Sequence, residues 1–366
     1  MGEDCFKYLP SEIVVNILSR LPARDAMICK CVCKSWLDLV ATPEFVNCHM
    51  SRSVPGIAVE ADSKSYDVME IVDEIGDFDE EYHWYAAFNF KLPFDEPIHS
   101  SANGLIFLSG VGHGDLILCN PVTRDYIKLP SPRQPISKDQ FELESFGFGV
   151  SRTTGQYKVV RVFEERPLCQ YECQVYTVGT GTWRKVPSGS PYRLFGRLGG
   201  LLFNGNLHWR VIEKIAGDLV EWIYYLDLET ERVSTFSTPY HGIMPYLKTP
   251  CVLRDCLCLC YTTNDFELAI WSMKEYGDEK SWTKEVFTGK AYGGYVVFHA
   301  CPIKVFENGD ILLECDRDKL SYYSNTTKTY YDFSILEDRD VYISITMYSP
   351  SFLTLKNFVM ENVSSF

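Results

Sequence analysis

Long apolar runs are missing from this chain of 366 residues. No stretch reaches the roughly 18 apolar residues that a membrane-spanning helix needs, so no membrane partner is expected. Positive charge is scarce too: 35 Lys and Arg against 49 Asp and Glu leave a formal net charge of −14. Binding nucleic acid by neutralising phosphates needs a positive face, so no nucleic-acid partner is expected either. The opening residues Met1-Gly-Glu-Asp-Cys-Phe6 are acidic and lack the apolar core of a secretory signal. Phe6 stands where a myristoylation motif wants Ser or Thr. Fourteen cysteines without a signal peptide read as reduced thiols in the cytoplasm, the nucleus or both. In such a compartment the sequons at Asn325 and Asn362 carry no meaning.

Enzyme signatures are absent as well. There is no Walker loop, no Gly-x-Ser-x-Gly elbow, no kinase set and no His-Glu-x-x-His. Gly110-Val-Gly-His-Gly114 is a glycine-rich turn between strands, without the following helix whose N-terminus would bind phosphate. His113 and His208 are isolated, and general-base work needs a positioned partner. Cys29, Cys31 and Cys33 alternate, as do Cys256, Cys258 and Cys260. Zinc sites more often pair Cys-x2–4-Cys with a second pair elsewhere, so both sets read as small buried hydrophobes, with metal as the alternative. No catalytic residue, cofactor or metal is expected.

What is present is ordinary globular composition, with 46% hydrophobic and 23% charged residues. Aromatics at 14% suit half-buried strands. Charge is uneven, since residues 60–96 hold twelve acids and two lysines. The densest window, Asp73 to Glu81, reads as a solvated loop or, alternatively, as a docking surface for a basic partner.

The first fifty residues read as three short helices. Leu9, Ile13, Ile17 and Leu21 recur every fourth position, with Val14 and Leu18 beside them, on a helix starting near Pro10 and stopped by Leu21-Pro22. Asp25 is a candidate N-cap for a second helix. Val32, Trp36, Leu39 and Val40 form a third stripe that Pro43 ends. Three helices in about 45 residues bury too little to be comfortable alone. They must pack on the rest of the chain or lend a face to a partner.

Leu9-Pro10, Leu21-Pro22, Cys31-Val-Cys-Lys-Ser-Trp36 and Pro43-Glu-Phe45 resemble an F-box over residues 6–48. The resemblance implies docking on a Skp-type adaptor, and through it on a cullin–RING ubiquitin ligase. The positions it assigns to the adaptor are Leu9, Pro10, Ile13, Ile17, Leu21, Pro22, Val32, Trp36 and Phe45. Ala26 and Ile28 depart from it, standing where the family more often has Leu and Arg. Ala26 removes a large anchor and is expected to weaken the adaptor interface by about 1–3 kcal/mol. Leu9→Ala and Trp36→Ala are expected to abolish adaptor binding while the β region stays folded.

From about residue 55 short alternating runs lie between Pro- and Gly-rich turns, an all-β pattern. Asn103-Gly104, Asn204-Gly205 and Asn308-Gly309 mark hairpins. A strand–turn–strand pattern recurs at residues 119, 175, 225, 271 and 322, separated by 56, 50, 46 and 51 residues. That spacing fits four-stranded propeller blades. A sixth unit over residues 55–97 and a tail strand near Ser351–Leu355 would complete the count, with a β-sandwich as the competing architecture. Cys119-Asn-Pro-Val-Thr-Arg124 with Leu129-Pro130, Phe146-Gly-Phe-Gly with Tyr157-Lys-Val-Val160, and Asn204 to Trp209 resemble the kelch-like F-box-associated domain found widely in plants. This second resemblance implies a module that captures a protein substrate and holds no catalytic centre.

The expected chain is therefore mainly β with a small all-α N-terminal module: an F-box over 1–48, a short linker over 49–56, and a propeller of about six blades over 57–366. Its expected function is to bridge a Skp-type adaptor to an unidentified target protein for ubiquitination. The competing classes are a propeller enzyme of hydrolase or lactonase type, and a scaffold outside any ligase whose helices merely cap the β region.

Overall fold

The computed structural model describes residues 9–62, 64–71, 84–110, 114–132, 144–165, 170–190, 193–194, 199–215, 218–239, 248–263, 267–288, 290–291, 300–315, 319–333, 345–358 and 361–366. The acidic window Asp73–Glu81 and His113 lie outside them. Two compact units are present. The first holds residues 1–131, 179–181 and 346–366, and the second holds residues 132–178 and 182–345.

The first unit opens with four helices rather than three: α1 (Ser11–Leu18), α2 (Ala23–Cys29), α3 (Lys34–Val40) and α4 (Pro43–Met50). Pro43 starts a helix instead of ending one. It sits at the first helical position, where its missing N–H costs nothing, and the Thr42 side chain caps the helix by accepting from the Phe45 N–H at 3.3 Å. Asp25 is not a cap either, because α2 begins two residues earlier, after Pro22. Val32 lies in the turn between α2 and α3, outside either helix.

Two antiparallel sheets complete this unit. The first runs Ile345–Tyr348, Gly56–Asp62, Ser65–Ile71, Trp84–Lys91. The second runs Ile98–Ala102, Leu105–Ser109, Leu116–Asn120, Asp125–Leu129, with Val363–Ser365 added outside the last. Late strands therefore join both sheets, but not the expected one: residues 351–354 are not a strand, and Leu355–Asn357 is a 3-10 turn. Asn103 and Gly104 both take positive φ in the two-residue turn before Leu105, the backbone that a tight hairpin requires.

The second unit contains four meanders, at residues 144–190, 193–237, 249–287 and 290–333. Each adjacent pair of strands along a meander is antiparallel, apart from Lys290–Ala291, which lies parallel on Thr329–Phe333. The recurring pattern of the sequence falls on the third strand of each meander, at Gln170–Thr177, Asp218–Asp227, Leu268–Met273 and Lys319–Ser324. In the first unit the same position is Leu116–Asn120. The Asn204-Gly205 hairpin forms with both residues at positive φ. Asn308-Gly309 sits in a wider turn, where the Phe306 N–H bonds to the Asp310 carbonyl at 2.9 Å and only Gly309 of the pair takes positive φ.

Trp209 is a central plug of this unit, packed with Val160, Val175, Leu207 and Leu226. Its indole N–H donates to Ser145 Oγ at 3.1 Å, which satisfies the one polar group of a buried ring. Gly147 and Gly200 leave room for it, since a Cβ at either would lie within 2.8 Å of the indole. His208 is structural, as its isolation in the sequence suggests. Nδ1 lies 3.1 Å from the Leu201 carbonyl, which can only accept, so Nδ1 carries the proton and Nε2 accepts from the Tyr276 hydroxyl at 2.8 Å. Burial pushes its pKa down to about 4.

Candidate docking surface on the helical module

Each of α1, α2 and α3 divides its apolar residues between a buried and an exposed face. On α1, Val14 and Leu18 enter a core with Ala26, Cys29, Val40, Phe45, Val46, Val122 and Phe352. Ile13 and Ile17, one position earlier and about 100° around the helix, face out. On α2, Ala26 and Cys29 are buried and Ile28 is exposed. On α3, Val40 is buried, Trp36 and Leu39 are half-buried, and Leu37 is exposed. The exposed apolar set runs from Leu9 at 40% to Val32 at 60% accessibility.

This division sorts the residues singled out in the sequence. Leu9, Pro10, Ile13, Ile17, Pro22 and Val32 are exposed. Leu21 and Trp36 are half-buried at the edge of the helical core. Phe45 is fully buried, with its ring centroid 5.4 Å from that of Phe352 in an edge-on contact. Phe45 therefore supports the surface from beneath and does not line it. Trp36 does both, so Trp36→Ala would loosen the helical core as well as the surface. Ala26 is 0% exposed, so its small size alters the core and removes no surface anchor. Leu37 escaped the sequence reading, and Ile28 entered it only as a departure from the family pattern. Both lie on helices already recognised, Ile28 just before buried Cys29 and Leu37 just after half-buried Trp36.

The thiols correct a second expectation. Cys29 is buried, but Cys31 and Cys33 are exposed on either side of Val32. The chain is a turn there, so a small-hydrophobe role holds for Cys29 and fails for its neighbours. Cys258 and Cys260 are buried and Cys256 is half-buried. Among the described residues no cluster of three or more His, Cys, Asp or Glu is arranged to hold a metal ion.

Charged and polar groups sit at the base of the module. Lys30 Nζ donates to the Val122 carbonyl at 3.3 Å and lies 4.7 Å from the centroid of the Phe352 ring. Burial pushes its pKa down, and the negative charge of Asp125 partly restores it. His49 is 2% exposed, stacked on Phe45 and edge-on to Phe352. Burial lowers its pKa too, against a hydrogen bond to the Leu21 backbone. Arg52 ties the end of α4 to α1, donating to the Asn16 carbonyl at 3.2 Å and to its side-chain oxygen at 2.9 Å.

Residues 59–355 match the F-box associated beta propeller domain, and residues 6–47 match the F-box domain. The chain belongs to the F-box proteins that carry an F-box associated β-propeller. The six sheets are its blades, and the β-sandwich alternative falls. Relatives in Arabidopsis thaliana include F-box protein CPR1, 26% identical over 87% of this chain and 83% of its own length. F-box protein At3g07870 is 27% identical over 84% of this chain and 82% of its own, and F-box/kelch-repeat protein At3g23880 is 25% identical over 75% and 78%. Among solved structures, the Dos1 propeller aligns with a TM-score of 0.37 at 9% identity over 78% of this chain and 86% of its own, too low to add to the assignment. The matches support a substrate-recognition role of the F-box kind. No described helix is long and apolar enough to cross a membrane.

Proposed function

We propose that this chain is the substrate-recognition subunit of a cullin–RING ubiquitin ligase, with residues 1–48 docking on a Skp-type adaptor, 49–56 running from the end of α4 into the first strand as the linker region, and 57–366 presenting a target protein. The observation that carries the reading is the exposure of Leu9, Ile13, Ile17, Ile28, Val32 and Leu37, on or beside helices α1–α3 whose other faces are already packed. Scattered surface apolar residues need no explanation, but six on one short module within an F-box match do. A cap that served only the β region would have no use for this second face.

In this role the chain supplies no nucleophile or base. It contributes proximity, raising the local concentration of target lysines near the charged ubiquitin-carrying enzyme. The working compartment is the cytoplasm, the nucleus or both. Mixing the purified chain with a purified Skp-type adaptor tests the reading. A stable complex is expected, and it should be lost in Ile13→Asp/Val32→Asp without loss of fold. A failure of the intact chain to bind, or equal binding by the double variant, overturns it.

A further inference from the structure

The helices join the first sheet through five residues, Ser51–Pro55, and a single short connection of this kind permits hinging. Val122 of the second sheet enters the helical core and accepts from Lys30, and a further attachment beside it comes from about 300 residues away in the chain. We propose that Ser351–Leu355 is a clamp that locks the helical module onto the second sheet, with Phe352 as its positioning residue.

Both ends of the clamp are anchored. Toward the sheet, the Asn120 side-chain amide donates to the carbonyls of Ser351 at 3.0 Å and Leu353 at 2.7 Å. Its oxygen accepts from the Val122 N–H at 2.9 Å, which fixes the orientation of the amide. Ser351 Oγ donates to the Asn103 carbonyl at 2.8 Å, and Thr354 Oγ1 donates to Asp125 at 2.8 Å. Gly104 lets Ser351 approach, because a Cβ there would collide with the serine. Toward the helices, Phe352 is 2% exposed and meets α4 edge-on at both Phe45 and His49, with ring centroids 5.4 and 5.0 Å apart. The Lys30 ammonium at the end of α2 sits against the same ring.

One aromatic ring thus touches two helices while its neighbours Ser351, Leu353 and Thr354 are bonded to two hairpins of the sheet. Together with the Lys30–Val122 contact, this attachment removes the hinge that the Ser51–Pro55 connection alone would leave. The effect on ubiquitin transfer rests on the proposed adaptor role: a fixed module holds whatever the first unit carries at a constant distance from the adaptor, and a hinged one dilutes it.

The test uses the full chain with fluorophores introduced through non-natural amino acids at Asn47 on α4 and Lys128 on the second sheet, both exposed. Time-resolved energy transfer then gives the distribution of distances between them. One narrow distribution is expected for the unsubstituted chain, at least a twofold broadening for Phe352→Ala, and an intermediate width for Phe352→Leu. Adaptor affinity should stay within threefold in both variants, since Phe352 does not line the docking face. An unbroadened distribution in folded Phe352→Ala overturns the clamp. So does a parallel loss of adaptor binding, which would make Phe352 a support of the docking face instead. If Phe352→Ala does not fold, Phe352→Leu decides by the same criteria. A narrow distribution in a chain that binds no adaptor would sink the proposed function and leave the clamp standing.

Discussion

Ile13 and Val14 are adjacent in one helix and alike in chemistry, yet Val14 shares a core with Phe45 and Phe352 while Ile13 is 45% exposed. The same contrast separates Ile17 from Leu18. Burial of such a side chain is worth about 1.5–3 kcal/mol, so the outer face forgoes a stabilisation that the inner face realises. A small module can carry both faces because the inner one borrows its core from distant chain, at Val122 and Phe352. The strands solve the problem differently: Leu105–Ser109 and Leu116–Asn120 are buried at every position and keep nothing for a partner.

The contrast can be broken from either side. The largest effect is expected within the inner face. Phe45→Ala should cost about 3–5 kcal/mol of stability, seen as a lowered melting midpoint and lost amide protection in α1–α4. Next comes pH, read here through the buried histidines. His208 has its folded pKa pushed down to about 4 from an ordinary 6.5. Above 6.5 both folded and unfolded forms are neutral and the full stability is present. As pH falls from 6.5 towards 4, the unfolded chain takes up a proton that the folded chain refuses, and up to about 3 kcal/mol is lost. His49 acts in the same direction, its pKa also being lowered by burial. Denaturant midpoints measured between pH 7 and 4 should fall, and His208→Gln should flatten the profile.

On the outer face the ranking reverses. Ile13→Ala or Ile17→Ala should each weaken adaptor binding by about 1–3 kcal/mol, read by calorimetry. The same changes should move stability by no more than about 0.5 kcal/mol. The mildest probe alters no residue. Cys31 and Cys33 are exposed, whereas Cys119 and Cys173 are buried with their thiol pKa values raised, that of Cys173 to about 12. An alkylating reagent should therefore label the first pair in the folded chain and the second only on unfolding. Bound adaptor should shield the first pair, and mass spectrometry of the labelled peptides reads both contrasts.

Much of this was legible in the residues, for local reasons. Four-residue periodicity marked α1, Asn-Gly pairs marked two tight hairpins, and the recurring strand–turn–strand pattern landed on the third strand of five sheets. What escaped depended on residues far apart in the chain. Ile13, Val14, Ile17 and Leu18 are all apolar, so nothing local says which pair faces inward; the shared core, which includes the distant Val122 and Phe352, takes Val14 and Leu18. For the same reason nothing in the sequence signalled that Phe45 and Ala26 are buried or that Ile28 and Leu37 are exposed. Pro43 was misread because a proline after threonine can open a helix as readily as it ends the one before. Four-residue Ile345–Tyr348 is too short to show a period, so the edge it covers in the first sheet went unseen.

The central claim is that the outer face of α1–α3 is reserved for another protein, and the most direct measurement is the affinity of the full chain for a purified Skp-type adaptor before and after Ile13→Asp/Val32→Asp. A loss of at least 100-fold with an unchanged melting midpoint is the predicted result. Undiminished binding by the folded double variant would contradict it.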